Sequence, residues 1–247
     1  MTDVRHDTMR VMLHHVLLNK YRQFMSQATL PLSIRHMDWA NTTVLRVGGA
    51  IRLLDRMLAQ AKLVKDVNVS EDYHDRKNFI PLGRDNTEHI KADAHSLPML
   101  SDESVDFVAS SGTVEHLTNP LKALFEWRRI LKTGGLMYMS VPYYKKTFDH
   151  RRTVTPFAHL MEDYKNNTGL DDQTHIAEFL KNFDATKELV YHDYDAWYAN
   201  YVTNPQIYTH FHVFDKDLVR EMMTHLGFKT EKIFYAEATI EYYGRKI

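Results

Sequence analysis

TVLRVGGAIRLLDRMLAQ, residues Thr43–Gln60, runs a β-branched apolar strand into a glycine turn and on into a helical pattern. A strand that feeds a helix is the opening unit of a parallel sheet, because the chain must cross over before it can pair alongside itself again. Gly48 and Gly49 let the backbone approach a ligand at the carboxyl end of that strand, and a helix starting near Ile51 aims its free N–H groups at the same point. An anionic or carboxylate-bearing ligand suits such a turn.

Outward from this unit, strand patterns recur in LVKDVNVS, HIKADA, VDFVASSG and GLMYMSVP, with helical spacing in NPLKALFEWRRILK between the last two. Near the end, DKDLVREMMTHLGF reads as an amphipathic helix capped by Asp215 and stopped by Gly227, and KTEKIFYAEA with TIEYYGRKI reads as an antiparallel pair closing the sheet edge. The fold class is therefore α/β: a Rossmann-like, mostly parallel seven-stranded sheet with helices on both faces. Val11, Met12, Val16, Leu17, Leu18 and Tyr21 recur at helical spacing between Val4 and Met25, which predicts an N-terminal helical arm. The expected organisation is an arm or cap over residues 1–42, a cofactor-binding core over 43–142, a lid or acceptor-pocket insertion over 143–214, and a closing helix and hairpin over 215–247. The insertion is expected because the strand rhythm breaks from Tyr143 to Asn204, and so long an excursion commonly packs over an active site.

Composition narrows the chemistry. The 247 residues carry 31 Lys+Arg against 32 Asp+Glu, so no global field favours nucleic acid or an anionic membrane, and a small-molecule partner is expected instead. Without cysteine there is no disulfide, thiolate nucleophile or Cys-ligated metal. No apolar run approaches the roughly 20 residues needed to span a bilayer, and the start lacks a secretory pattern, so a cytoplasmic location is expected. Fifteen histidines and 14 tyrosines suggest a site lined by imidazole and aromatic groups. The oligomeric state is open, a homodimer included.

The middle of the chain, IKADAHSLPMLSDESVDFVASSGTVEHLTNPLKALFEWRRILKTGG from Ile90 to Gly135, joins the opening unit in a longer pattern. Together they resemble the class I S-adenosylmethionine-dependent methyltransferases, of the small-molecule, type 11-like kind. The resemblance is carried by an acid after the third strand, Leu-Pro, the Val-Asp-Phe strand, Glu-His, and Leu-Lys-x-Gly-Gly before the fifth strand. It implies S-adenosylmethionine as cofactor, with Gly48, Gly49 and Ala50 at the turn and Asn68 where an aspartate usually holds the ribose. It also implies that Asp93, with Ala94, accepts from the adenine amine, and that Ser110, Ser111 and Gly112 flank the methionine moiety. The turn departs from the family in Arg46, Ala50 and Arg52. Arg46 would neutralise the methionyl carboxylate or a nearby acid, or turn outward. A retired fold that binds a partner is the alternative reading.

For the acceptor, FDHRRTVTPFAHLMEDYKN after the fifth strand clusters Arg151 and Arg152, a pair suited to phosphate or carboxylate or else to surface ion pairs. Tyr143 and Tyr144 would shape the pocket mouth. DHRR, TP, HL and EDY, followed by HFHVF, resemble methyltransferases of bacterial surface-glycan or capsule clusters, which implies an amine or hydroxyl acceptor, phosphorylated or sugar-linked, such as a phosphoethanolamine-like molecule. His116, His150, His210 and His212 are the candidate bases, since imidazole titrates near neutrality. His210 and His212 share one side if their segment is extended. Two histidines without a third ligand specify no metal, so none is assigned, although His116, His150 or Asp149 folded nearby would complete one.

Overall fold

The expected alternation is present as a single sheet. The computed structural model describes residues 29–49, 54–69, 85–169, 171–187, 194–203 and 205–247. The helical arm expected between Val4 and Met25, the helix start at Ile51, and Ala50 and Arg52 lie outside them.

Seven strands run in the order β3-β2-β1-β4-β5-β7-β6. They are β1 Thr43–Gly48, β2 Leu63–Asn68, β3 Thr87–Lys91, β4 Val105–Ser111, β5 Leu131–Pro142, β6 Phe228–Ala236 and β7 Thr239–Lys246. β1 to β5 are parallel, and β7 pairs antiparallel with both β5 and β6, so the sheet is mixed. The chain order reverses between β1 and β4, and that reversal opens a crevice at the strands' carboxyl ends where ligands of such sheets bind.

Two apolar layers hold the sheet. Leu45, Val47, Val67 and Val108 face one side, against α3 (Pro120–Ile130) and α8 (Lys216–His225). Val44, Val64, Phe107 and Tyr138 face the other, against Ile34 of α1 (Leu32–Arg35), Trp39, and Leu58 of α2 (Asp55–Leu58). Caps set the helix starts: the Asn119 side chain accepts from the Lys122 N–H ahead of Pro120, and Asp215 accepts from the N–H groups of Asp217 and Leu218. Trp127 is fully buried and its indole donates to the Ala94 carbonyl at 2.9 Å, so it is core. The charges of EWRR are structural too, because Arg129 clasps Glu126, Asp102 and the carbonyls of Leu97 and Leu100.

Between β5 and α8 lie α4 (Phe157–Asn166), α5 (Thr174–Asn182), α6 (Tyr194–Tyr201) and α7 (Pro205–Tyr208). They have a small core of their own, Phe179, Phe183, Trp197 and Tyr201, which Phe148 joins.

Candidate active site

A cavity of about 480 Å³ opens at the carboxyl ends of β1, β2 and β4. Gly48 and Gly49, Asn68, Asp93 to His95, and Gly112 with Thr113, His116 and Leu117 line it. Gly48 has φ +80°, and a Cβ there would come within 1.7 Å of Thr113 Oγ1. Its bareness is thus required by a neighbour: the Thr113 hydroxyl donates to the Val47 and Ser111 carbonyls and closes the crossing of β1 and β4.

Arg46 does not line the cavity. Pairing in register with Asp66 on the neighbouring strand, it puts Nε and Nη2 each 2.7 Å from a carboxylate oxygen, with both residues buried. The His89 ring reaches the same carboxylate at 3.1 Å. Side chains alternate along a strand, so Arg46 shares the face of Val44, away from Val47 and the crevice. The ladder thus carries the positive charge on β1 and the negative on β2. Ser110 and Ser111 also fall outside the lining. Ser111 gives its carbonyl to Gly49 N–H, and Ser110 is buried with Oγ lacking a partner among the described residues.

Asp93 is set by His95, whose backbone N–H and Nδ1 both donate to Oδ1, at 2.9 and 2.6 Å. The side-chain bond holds the Asp93 carboxyl below its ordinary range, so it is ionised and an acceptor. Donation through Nδ1 leaves a lone pair on His95 Nε2, which is buried without a partner among the described residues. His95 was not singled out from sequence, yet its place two residues after an acid at a strand end is an Asx-type turn signal.

Behind Gly112 sits a buried group of acid and imidazole. Glu115, His116 and His210 bring their donor atoms within 4.8 Å of one another. His116 Nδ1 donates to the Thr209 carbonyl at 3.0 Å, and burial, helped by the charge of His210, pushes its pKa down to about 3. It is a neutral ring with an Nε2 lone pair on the cavity wall. Burial pushes the Glu115 carboxyl up to about 7 against the pull of His210, and its Oε2 has no partner among the described residues. Burial alone would lower His210, but Asp149, 2.5 Å from Nδ1, more than reverses this and raises it. An aspartate that fixes the tautomer of a histidine and stabilises its cation is the orienting arrangement of a general base.

The other expected site residues fall elsewhere. His150 Nε2 and the exposed Arg151 both pair with Asp184, at 2.8 and 3.0 Å. Arg152 is buried, and its guanidinium is spent on Asp149, Glu178 and the His210 and Phe211 carbonyls, so it anchors the insertion and offers nothing to a phosphate. Tyr143 packs on Tyr235 and meets Tyr144 edge-on, and neither lines the cavity. His210 and His212 part ways, because their segment is not a strand: His212 bonds Asp163 and the Leu117 carbonyl. No residue of 143–214 lines the cavity among those described, and the insertion reaches it only through the 209–212 segment behind His116 and Leu117. Glu115 was legible as half of a Glu-His phrase, but nothing local marks it as buried.

Residues 45–139 match the family described as a methyltransferase domain. An S-adenosylmethionine-dependent methyltransferase from Mesorhizobium loti superposes with TM-score 0.56 at 13% identity, over 90% of this chain and 96% of that one. Another, from Methanosarcina mazei, does so with TM-score 0.51 at 16% identity, over 88% and 98%. An uncharacterized 37.1 kDa protein in transposon TN4556 of Streptomyces fradiae is 33% identical over 72 residues, 27% of this chain. The match spans only 21% of that relative's length. Domain match and fold together indicate S-adenosylmethionine as the cofactor, and the cavity's residues fit it: two glycines at the end of β1, an ionised acceptor at Asp93, and an amide at Asn68.

Proposed function

We propose that this chain, whose core is a methyltransferase domain on the fold of S-adenosylmethionine-dependent methyltransferases, methylates the nitrogen of a small polar amine. Bound, the cofactor supplies a methyl group already activated by its sulfonium. The residues' share is to hold the two partners in line and to manage one proton.

Asp93 takes the adenine amine, Asn68 the ribose hydroxyls through a neutral amide in place of a carboxylate, and the Gly48–Gly49 backbone the amino-acid end. Arg46 has no part in this, and the altered turn is a working one, because the charge it brings is cancelled by Asp66 within the sheet.

The observation that carries the acceptor reading is Glu115: a buried carboxyl with an unpartnered oxygen among the described residues, directly behind Gly112, which lines the cavity. A protonated amine pairs with this group. Its proton passes to the acid and imidazole group, where Asp149 stabilises a charged His210, and the neutral amine then attacks. His116, uncharged, borders the reacting nitrogen without repelling it. Since Arg151 and Arg152 are both in ion pairs, a phosphate on the acceptor is not required.

The test is calorimetric titration with S-adenosylhomocysteine, followed by methyl transfer to a panel of amines and alcohols. Micromolar product binding and turnover of amines that Glu115→Gln abolishes are expected. Turnover of alcohols only, lost in His210→Gln, would replace the amine reading, and no binding of cofactor or product would favour the retired fold.

A further inference from the structure

Away from the cavity wall, three histidines and one aspartate converge from three segments. His159 and Asp163 stand one turn apart on α4, His175 is in the first turn of α5, and His212 precedes α8. One ligand atom from each of the four lies within 4.8 Å of the others. Asp163 Oδ2 is 3.0 Å from His212, 3.4 Å from His159 and 3.6 Å from His175, and His159 stands 2.8 Å from His175. Metal bonds of about 2.0–2.1 Å in a tetrahedron require ligand atoms about 3.3–3.4 Å apart. The set is within a few tenths of an ångström of that figure along most of the edges just given.

The outer bonds decide what the inner atoms present. His212 Nδ1 donates to the Leu117 carbonyl at 3.2 Å, His175 Nδ1 donates to the Asp172 carboxylate, and Asp163 Oδ1 accepts the Thr168 hydroxyl at 2.9 Å. With Nδ1 committed as donor, His175 and His212 have only Nε2 to turn toward the Asp163 carboxylate oxygen, as a lone pair wherever the ring is neutral. Lone pairs facing an anion in a buried place repel unless a cation lies among them. The pairing of Asp172 with His175 is also the carboxylate–histidine arrangement that orients and strengthens a metal ligand.

We propose that His159, Asp163, His175 and His212 form a tetrahedral site for a divalent late first-row ion, zinc by preference. Four protein ligands fill the coordination sphere, which makes it a structural site with no open position for substrate. The ion ties α4 and α5 to the 209–214 segment, and through the Leu117 carbonyl to the cavity wall. It thereby holds the insertion that supplies His210 and Asp149. Sequence alone assigned no metal, because it paired His212 with His210 and had no third ligand for them; His159, Asp163 and His175 join His212 only across 54 positions of chain.

Full-length protein purified from zinc-supplemented growth is expected to hold about one zinc per chain by elemental analysis. A chelator should lower its Tm by several degrees and zinc restore it. Cobalt loaded in place of zinc should give the visible bands of a tetrahedral N/O site. His159→Ala, whose imidazole is 40% exposed, should keep its far-ultraviolet circular dichroism but lose the cobalt bands and the chelator response. If the wild-type chain takes up no zinc or cobalt and its Tm ignores the chelator, protons alone neutralise the cluster and the proposal falls. It falls equally if the bands survive both His159→Ala and His212→Gln. The cobalt spectrum of the wild-type chain decides the matter even if a variant fails to fold.

Discussion

Replacing Asp66 by alanine strands the Arg46 guanidinium inside the sheet. The pair makes two parallel bonds of 2.7 Å with Asp66 at 0% exposure, so removing one partner leaves a charge that water cannot reach. Breaking a buried pair costs about 3–5 kcal/mol. In a chain of this size each kcal/mol moves the Tm by about 2–4 °C, so a fall of about 6–20 °C is expected. Replacing both partners by apolar side chains, as in Arg46→Met with Asp66→Leu, strands no buried charge and frees only the half-exposed His89 ring, and such exchanges are neutral or stabilising by about 1–4 kcal/mol. Urea unfolding followed by tryptophan fluorescence gives the cycle, with equal m-values for the two variants. The same proteins are then titrated with S-adenosylhomocysteine. Because Arg46 does not line the cavity, the double variant should bind within about threefold of wild type, a difference under 1 kcal/mol. A double variant as unstable as Asp66→Ala would refute the pairing argument. One that is stable but binds more than about tenfold weaker would show that Arg46 reaches the cofactor after all.

Arg152→Ala uncovers Asp149 and two carbonyls, so a loss of about 3–5 kcal/mol in unfolding free energy is expected ahead of any specific change in acceptor Michaelis constant. Asp93→Ala should weaken S-adenosylhomocysteine by about 1–2 kcal/mol, roughly 5–30-fold by calorimetry, and unchanged affinity would remove Asp93 from the site. Glu115 is raised from an ordinary value near 4.5 to about 7, so the stability it contributes is present in acid and is lost as pH rises through about 7. Between pH 5 and pH 8.5 the wild type should therefore lose on the order of 3 kcal/mol relative to Glu115→Gln, and parallel stability profiles would rule out a buried, raised carboxyl. Gly48→Ala drives a methyl into Thr113 at a positive φ, and should either fail to accumulate as folded protein or unfold several degrees lower; Gly48→Ala combined with Thr113→Gly should recover part of the loss.

Reading residues in order was enough for the parts of this molecule that local chemistry controls. The alternation of β-branched runs with helical spacing makes β1 to β5 and the crossover helix Pro120–Ile130 legible, since period and capping are properties of neighbouring residues. Asn119, Asp215 and the final hairpin are legible for the same reason. So is the cavity's outline, because glycines and an acid at strand ends must meet where the strand order reverses.

What a side chain does once it is there depends on residues far away in the chain. Arg46 and Asp66 are twenty positions apart and become partners only through the β1–β2 register, which converts an anomalous cofactor residue into a neutralised core pair. His210 and His212, two positions apart in one phrase, belong to separate groups because Asp149 and Asp163 approach their segment from different sides. Arg152, with the chemistry of a phosphate ligand, is consumed by the chain that folds around it. Charge and hydrogen-bonding capacity are written in the sequence, but whether they face a ligand or one another is settled by burial and tertiary distance, since each buried donor, acceptor and charge must find its partner in the fold.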